Sequence, residues 1–170
     1  MLLALDVHYR EEEAKVVGVL FHWEDVVPQD VIIEYIDDVE EYIPGQFYKR
    51  ELPCLMKIIE KLDIGQLEAI IVDGHIYVDN DRNYGLGGRL YEVLENKTPI
   101  IGVAKTTFYN NNETVTEIKR GKSNNPLYIS AIGIDLSIVS QKILDMYGGF
   151  RIPNILKTLD QITKNDSNSK

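Results

Sequence analysis

The chain has 170 residues, 44% of them hydrophobic, with a formal net charge of −9 and one cysteine. This size suits one domain with a single core, no apolar stretch approaches the roughly 20 residues that span a bilayer, and a lone cysteine excludes an internal disulfide framework and fits a reducing, cytoplasmic setting. The acidic balance, with a pI of about 4.8, argues against a generic basic nucleic-acid binder, although a metal site concentrates carboxylates and bound cations reverse its local field.

The apolar start Leu2-Leu3-Ala4-Leu5 lacks a basic flank and soon reaches Asp6 and His8. It reads as a strand over about residues 2–9 and not as a leader. A turn at Arg10 to Glu13 leads to a second strand over Ala14 to Trp23, where Val17, Val19 and Phe21 alternate with Gly18, Leu20 and His22. A third strand follows at Val31 to Ile36, and the close succession predicts an antiparallel meander. The acidic clusters around residues 11–13 and 37–41 read as a solvated turn and a strand exit. A helix is predicted from about Glu51 to Leu62, with Leu52, Leu55, Met56, Ile59 and Leu62 on one face; Cys54 belongs to its core. Then come a buried strand ending at Asp73, a long polar loop, a helix from about Leu86 to Glu95, and a buried strand at Pro99 to Ala104. Thr114 to Lys119 and Pro126 to Ile132 form a final strand pair. Asp135 is the expected N-cap of a helix over Leu136 to Met146, ended by Gly148-Gly149. A last helix spans about Pro153 to Thr163, and the polar tail 164–170 is expected to fray. The pattern predicts an α/β domain over residues 1–163. Its mixed sheet has three antiparallel strands, then parallel ones, flanked by helices.

Asp6 and Asp73 each end a continuous apolar run, Leu2 to Leu5 and Ala69 to Val72. Such runs read as strands buried on both faces. A carboxylate there is expensive to bury unless something pairs with it. If the two strands are parallel neighbours, both carboxylates emerge at one sheet edge and make half of a divalent metal site with hard oxygen ligands. The alternative is two independent aspartates capping turns or helices. Glu51, at the predicted start of the crossover helix, is either a third ligand or a helix-start acid favoured by the macrodipole. The basic residues lie elsewhere, at Lys49-Arg50, Arg82, Arg89, Lys105 and Lys119-Arg120-Gly121-Lys122. If they line one face, they provide local attraction for a polyanion.

The run from Tyr42-Ile43-Pro44-Gly45 to Arg50-Glu51-Leu52-Pro53 resembles the Tyr-Ile-Pro-Gly…Arg-Glu signature of endonuclease V. The surrounding blocks follow in the family's order: Leu5-Asp6-Val7, Val72-Asp73-Gly74, Ile101-Gly102-Val103-Ala104-Lys105, Tyr128-Ile129-Ser130 and Arg151-Ile152-Pro153 leading to Asp160. The resemblance covers about residues 2–163. It implies an RNase H-like fold and a Mg²⁺-dependent endonuclease, with Mn²⁺ as a substitute. The substrate it implies is DNA or RNA containing deaminated adenine, deoxyinosine or inosine, cut at the second phosphodiester on the 3′ side in nucleic-acid repair. Asp6, Glu51 and Asp73 match the family's metal-binding carboxylates. Lys105 matches its active-site lysine, and Asp160 falls where members carry a further His or Asp. Tyr42, Ile43 and Pro44 match the wedge that enters the duplex as the base flips out, and Gly45 a glycine beside the base pocket. Arg50 and Arg82 are the expected nucleic-acid contacts, with no membrane partner and a monomer favoured. Read from residues alone, Lys105 is an ordinary strand-end lysine rather than a site residue, Tyr42 and Pro44 are equally turn formers, and Asp160 equally a surface acid.

The chain departs from the family pattern after Asp73-Gly74. A second glycine has become Ile76, and the His-Pro pair Asn80-Asp81, while Arg82 and Gly85 still match. Ile76 is expected to narrow the base pocket or push the loop outward, and Asp79-Asn80-Asp81 to place negative charge near a phosphate path. The family's N-terminal helical segment is expected to be missing. Two readings follow: a metal nuclease, or a catalytically weak nucleic-acid-binding or interaction module on the same fold.

Overall fold

The computed structural model describes residues 1–37, 39, 41, 43–108 and 110–165. The predicted meander is present as β1 (Leu2–Arg10), β2 (Glu13–Phe21) and β3 (Asp30–Asp37), each antiparallel to its neighbour. α1 (Phe47–Ile59) and a short 3₁₀ turn lead to β4 (Ala69–Asp73). α2 (Leu86–Val93), β5 (Ile100–Ala104) and the hairpin of β6 (Thr116–Ile118) with β7 (Leu127–Ile132) follow. α3 (Leu136–Leu144) and α4 (Asn154–Lys164) complete the described chain. The strands form one seven-stranded sheet in the order β3-β2-β1-β4-β5-β7-β6, parallel only across β1–β4–β5.

These central strands are the continuous apolar runs of the sequence, because both of their faces are covered. On one face α3 and α4 pack over Leu2, Ala4, Val17, Ile71 and Ile101. On the other, α1 and α2 pack over Leu3, Leu5, Val16, Ile70 and Ile100. Among the described residues no helix is long and apolar enough to cross a membrane.

α1 starts a turn earlier than predicted. The expectation placed Pro53 in the first turn, where its missing N–H costs nothing. In the structure Pro53 lies inside the helix, and the start is set by the turn around Gly45, whose φ of +79° few other residues adopt. Glu51 is therefore not a helix-start acid, and the macrodipole reading falls; it lies on the buried face, 5% exposed. Asp135 caps α3 as expected, accepting a hydrogen bond from Ile138 N at 3.1 Å.

Candidate functional site

The β1–β4 register runs from Leu2 opposite Ala69 to Leu5 opposite Val72. Asp6 and Asp73 are the next residue on each strand, so the two carboxylates leave the sheet side by side. Asp6 Oδ1 accepts from Val7 N at 3.0 Å, and the Thr163 hydroxyl of α4 lies 3.0 Å from Oδ2. Burial, then the charges of Asp73 and Asp160, push the Asp6 carboxyl up to about 6, against the pull of these hydrogen bonds. Burial also raises Asp73, with Asp160 adding to the effect and Lys105 opposing it. Glu51 reaches them from α1. Burial, then Asp73 and Asp6, push its carboxyl up to about 8, with Arg50 opposing.

Two observations bear on whether this group suits a cation. Glu51 Oε2 is buried without a hydrogen-bond partner, an expensive state for a carboxylate. Asp73 also raises both Asp6 and Glu51, and Asp6 raises Glu51, which a divalent ion would reverse. Among the described residues no three His, Cys, Asp or Glu side chains form a ready-made ligand cage. The donor set instead fits a hydrated divalent cation that keeps several waters and takes only a few carboxylate oxygens.

Asp6 and Asp73 share the wall of a 720 Å³ cavity with Lys105 and Asp160. Lys105 follows β5 directly and is exposed, so it is placed at the site; its backbone oxygen accepts from Arg151 Nη2 at 2.7 Å. Asp160 is half-buried on α4 and pairs with Lys164 at 3.0 Å. The entry segment lies apart from this cavity's lining. Ile43 is 51% exposed, Pro44 is exposed, and a side chain on Gly45 would meet nothing within 4 Å. Tyr42 lies outside the described residues. Arg50 packs its guanidinium 3.7 Å over the Tyr9 ring, and Arg82, at φ 64°, lies 5.6 Å from the Tyr77 ring.

Three expectations are corrected. Ile76 does not narrow a pocket; it is fully buried in the core beneath α2, and its N–H donates to Ser130 Oγ at 3.0 Å. The loop after Asp73 is not pushed outward but pinned, through His75 to Thr106 O (2.8 Å) and to buried Asn111 (3.2 Å). The polar run is partly spent on this pinning: Asp79 accepts from Asn83, and Asn80 bonds Asn112 and Glu113 N. Ile76→Gly should therefore lower stability by about 3–5 kcal/mol, read by urea unfolding, with no gain in base discrimination. An unchanged midpoint would contradict this placement.

The expected basic face is smaller by one residue, Arg120. Arg120 is 4% exposed and donates to the carbonyls of Leu144, Met146, Gly148 and Phe150, so it closes the end of α3 and is not part of a polyanion surface. Sequence reasoning also missed Thr163, whose hydroxyl bridges Asp6 and Asp160 O. Its spacing of three residues from Asp160, one helical step on the same face, was the available signal.

A mixed sheet flanked by helices, with acids at the ends of its central parallel strands, defines an RNase H-like protein. An endonuclease V family model matches residues 1–138, and the chain belongs to that family. The match ends before α4, so Asp160 and Thr163 lie beyond it. The chain is 30% identical over 110 residues to endonuclease V of Sulfolobus acidocaldarius, covering 64% of this chain and 50% of that protein. It is 26% identical over 171 residues to the Methanothrix thermoacetophila protein, covering 89% and 74%. It thus spans half to three quarters of these relatives' length. Endonuclease V of Ciona intestinalis, solved with a 24mer DNA containing an inosine followed by a ribo-adenosine, superposes with a TM-score of 0.77 at 18% identity. That likeness covers 96% of this chain and 83% of the other.

Proposed function

We propose that this chain is a Mg²⁺-dependent endonuclease, with Mn²⁺ as a substitute, that hydrolyses a phosphodiester 3′ of a deaminated adenine in DNA or RNA. Its setting would be nucleic-acid repair in the cytoplasm. The observation that carries the reading is the adjacency of Asp6 and Asp73 on parallel strands, with buried Glu51 and its unpartnered oxygen beside them. Family membership supports the reaction class, and the inosine-containing DNA held by the Ciona relative supports the substrate class.

When bound, a divalent cation would supply an activated water and neutralise charge on the leaving oxygen. Asp6, Asp73 and Glu51 would hold it. Thr163 fixes the rotamer of Asp6 from α4. Lys105, the largest opposing influence on the raised Asp73, would hold the phosphate as a point charge. Ile43, Pro44 and Gly45 present an exposed, conformationally set edge before α1, which suits a wedge between base steps. Flipping a base costs a few kcal/mol, least for a poorly paired one, and this favours a lesion.

The test is incubation of the protein with end-labelled inosine- and deoxyinosine-containing oligonucleotides and Mg²⁺. A single cut at the second phosphodiester 3′ of the lesion is expected. Intact oligonucleotide under conditions where the protein binds it would favour the second reading, a catalytically weak binding module. The altered loop after Asp73 is the observation that keeps that reading in view.

A further inference from the structure

We propose that the cavity beside the carboxylates receives an unpaired nucleobase of a nucleic-acid strand, with neighbouring phosphates held by the lysines at its rim. This rests on the nuclease reading above and narrows the substrate to strands that are single or locally opened. The cavity, at 720 Å³, falls within the roughly 300–1,000 Å³ of small-ligand sites. Packed interiors rarely leave voids larger than a water. Its floor is apolar, formed by Ala4, Ile71, Val103, Leu127, Leu156 and Leu159. Lys105, Lys122 and Lys157 line it from exposed positions.

Its walls are tied together. Arg120 holds the segment after α3 through the carbonyls of Met146 and Phe150, both at 2.5 Å. Gly121, at φ +61°, passes so close that a side chain there would lie 2.1 Å from Gly149 O. Arg151 Nη2 joins Lys105 O and Pro126 O, each at 2.7 Å. The opening is thus built by three fastened segments and is not a packing gap.

The lining matches a base and its backbone. Phe150 is 66% exposed, and Lys157 Nζ lies 5.2 Å from its ring centre. An exposed ring beside a cation is the combination by which single strands are held, the base stacking and the phosphate pairing. A duplex with paired bases offers no base to such a cavity. The apolar floor belongs to the α3–α4 face of the sheet, whereas Ile43 to Gly45 lead into α1 on the other face. The cavity is therefore a second base position, separate from the wedge, and it shares Asp6 and Asp73 with the reacting site.

The experiment titrates the protein into a single-stranded oligonucleotide carrying one 2-aminopurine, in EDTA. A saturable fluorescence change is expected, with affinity about tenfold above that for the matched duplex. Phe150→Ala, at an exposed position, should abolish the change and weaken binding about five- to tenfold, in line with loss of one stacked base. Leu156→Trp, which fills the cavity, should do the same; if it fails to fold, Phe150→Ala carries the test. Wild-type affinity and fluorescence response in the folded variants would overturn the inference. So would displacement of the oligonucleotide by an equal concentration of adenosine monophosphate, which would mark a free-nucleotide site. Cleavage in Mg²⁺ is scored separately. Cutting with cavity-independent binding overturns the base cavity and leaves the nuclease. Cavity-dependent binding without cutting overturns the nuclease and leaves the cavity.

Discussion

Asp73→Asn should reduce Mg²⁺-dependent cleavage about a thousandfold or more, some 4 kcal/mol in the barrier, while oligonucleotide affinity in Ca²⁺ stays within about tenfold. The substitution keeps the side chain's shape at the end of β4 and removes one charge from a pair whose partner, Asp6, lies on the adjoining strand. Phosphate contacts made by lysine and arginine supply most sequence-independent affinity. The carboxylate itself repels the backbone, so its neutralisation does not weaken binding in the absence of chemistry. Single-turnover cleavage of an inosine-containing oligonucleotide, set beside anisotropy titrations in Ca²⁺, separates the two effects. Undiminished cutting by the mutant would sink the assigned role.

In metal-free buffer the protein should lose stability as pH rises from about 4.5 to about 8. The Glu51 carboxyl has an ordinary value of 4.5 and is pushed up to about 8 by burial and by Asp73 and Asp6; Asp6 moves from 3.8 to about 6. Between each pair of values the folded chain holds a proton that the unfolded chain has released. Stability is therefore full below the unfolded values and falls as pH climbs through the folded ones. For Glu51, with its side chain buried, the loss is on the order of 5 kcal/mol. A chain of this size converts that to roughly 10–20 °C in Tm. Mg²⁺ should restore much of it at pH 8 and little at pH 5, because cations bind ionised carboxylates. Glu51→Gln should flatten the metal-free profile above pH 6. Thermal melts across this range decide the matter, and a flat wild-type profile from pH 5 to 8.5 would show that Glu51 and Asp6 do not carry the charge crowding assigned to them.

Most of the fold was legible because its central strands are continuous apolar runs, a direct consequence of both their faces being covered, and because the first three strands follow one another closely. The adjacency of Asp6 and Asp73 was legible for the same reason: each marks the point where a doubly buried strand leaves the core. The start of α1 was not. The expected start lies at about Glu51, but packing of Leu55, Ile58 and Ile59 carries the helix back across Pro53 and outweighs one absent hydrogen bond and a strained turn. Ile76 was misread because a comparison with a glycine suggests a side chain in a pocket, whereas the backbone after Asp73 turns it inward beneath α2. There Gly87 leaves room: a side chain on it would lie 2.4 Å from Ile76 Cδ1. Arg120 looked like one of several surface cations. Only the tertiary arrangement shows that the carbonyls after α3 leave a helix end in need of donors.

The register that seats Asp73 beside Asp6 also bears on the order of assembly. β1, β2 and β3 pair with chain neighbours, through a tight turn and then a loop over 22–29, whereas β1 meets β4 only after β2, β3 and α1 have been looped out. Local hairpins form quickly, and pairings distant in sequence come late because loop closure costs entropy first. The crowding of carboxylates arises only at this late closure, so an early meander forms without it. Charge repulsion absent from a transition state acts mainly on the rate at which the finished molecule comes apart. At alkaline pH without metal, the site thus shortens the lifetime of the native state while hardly slowing its formation.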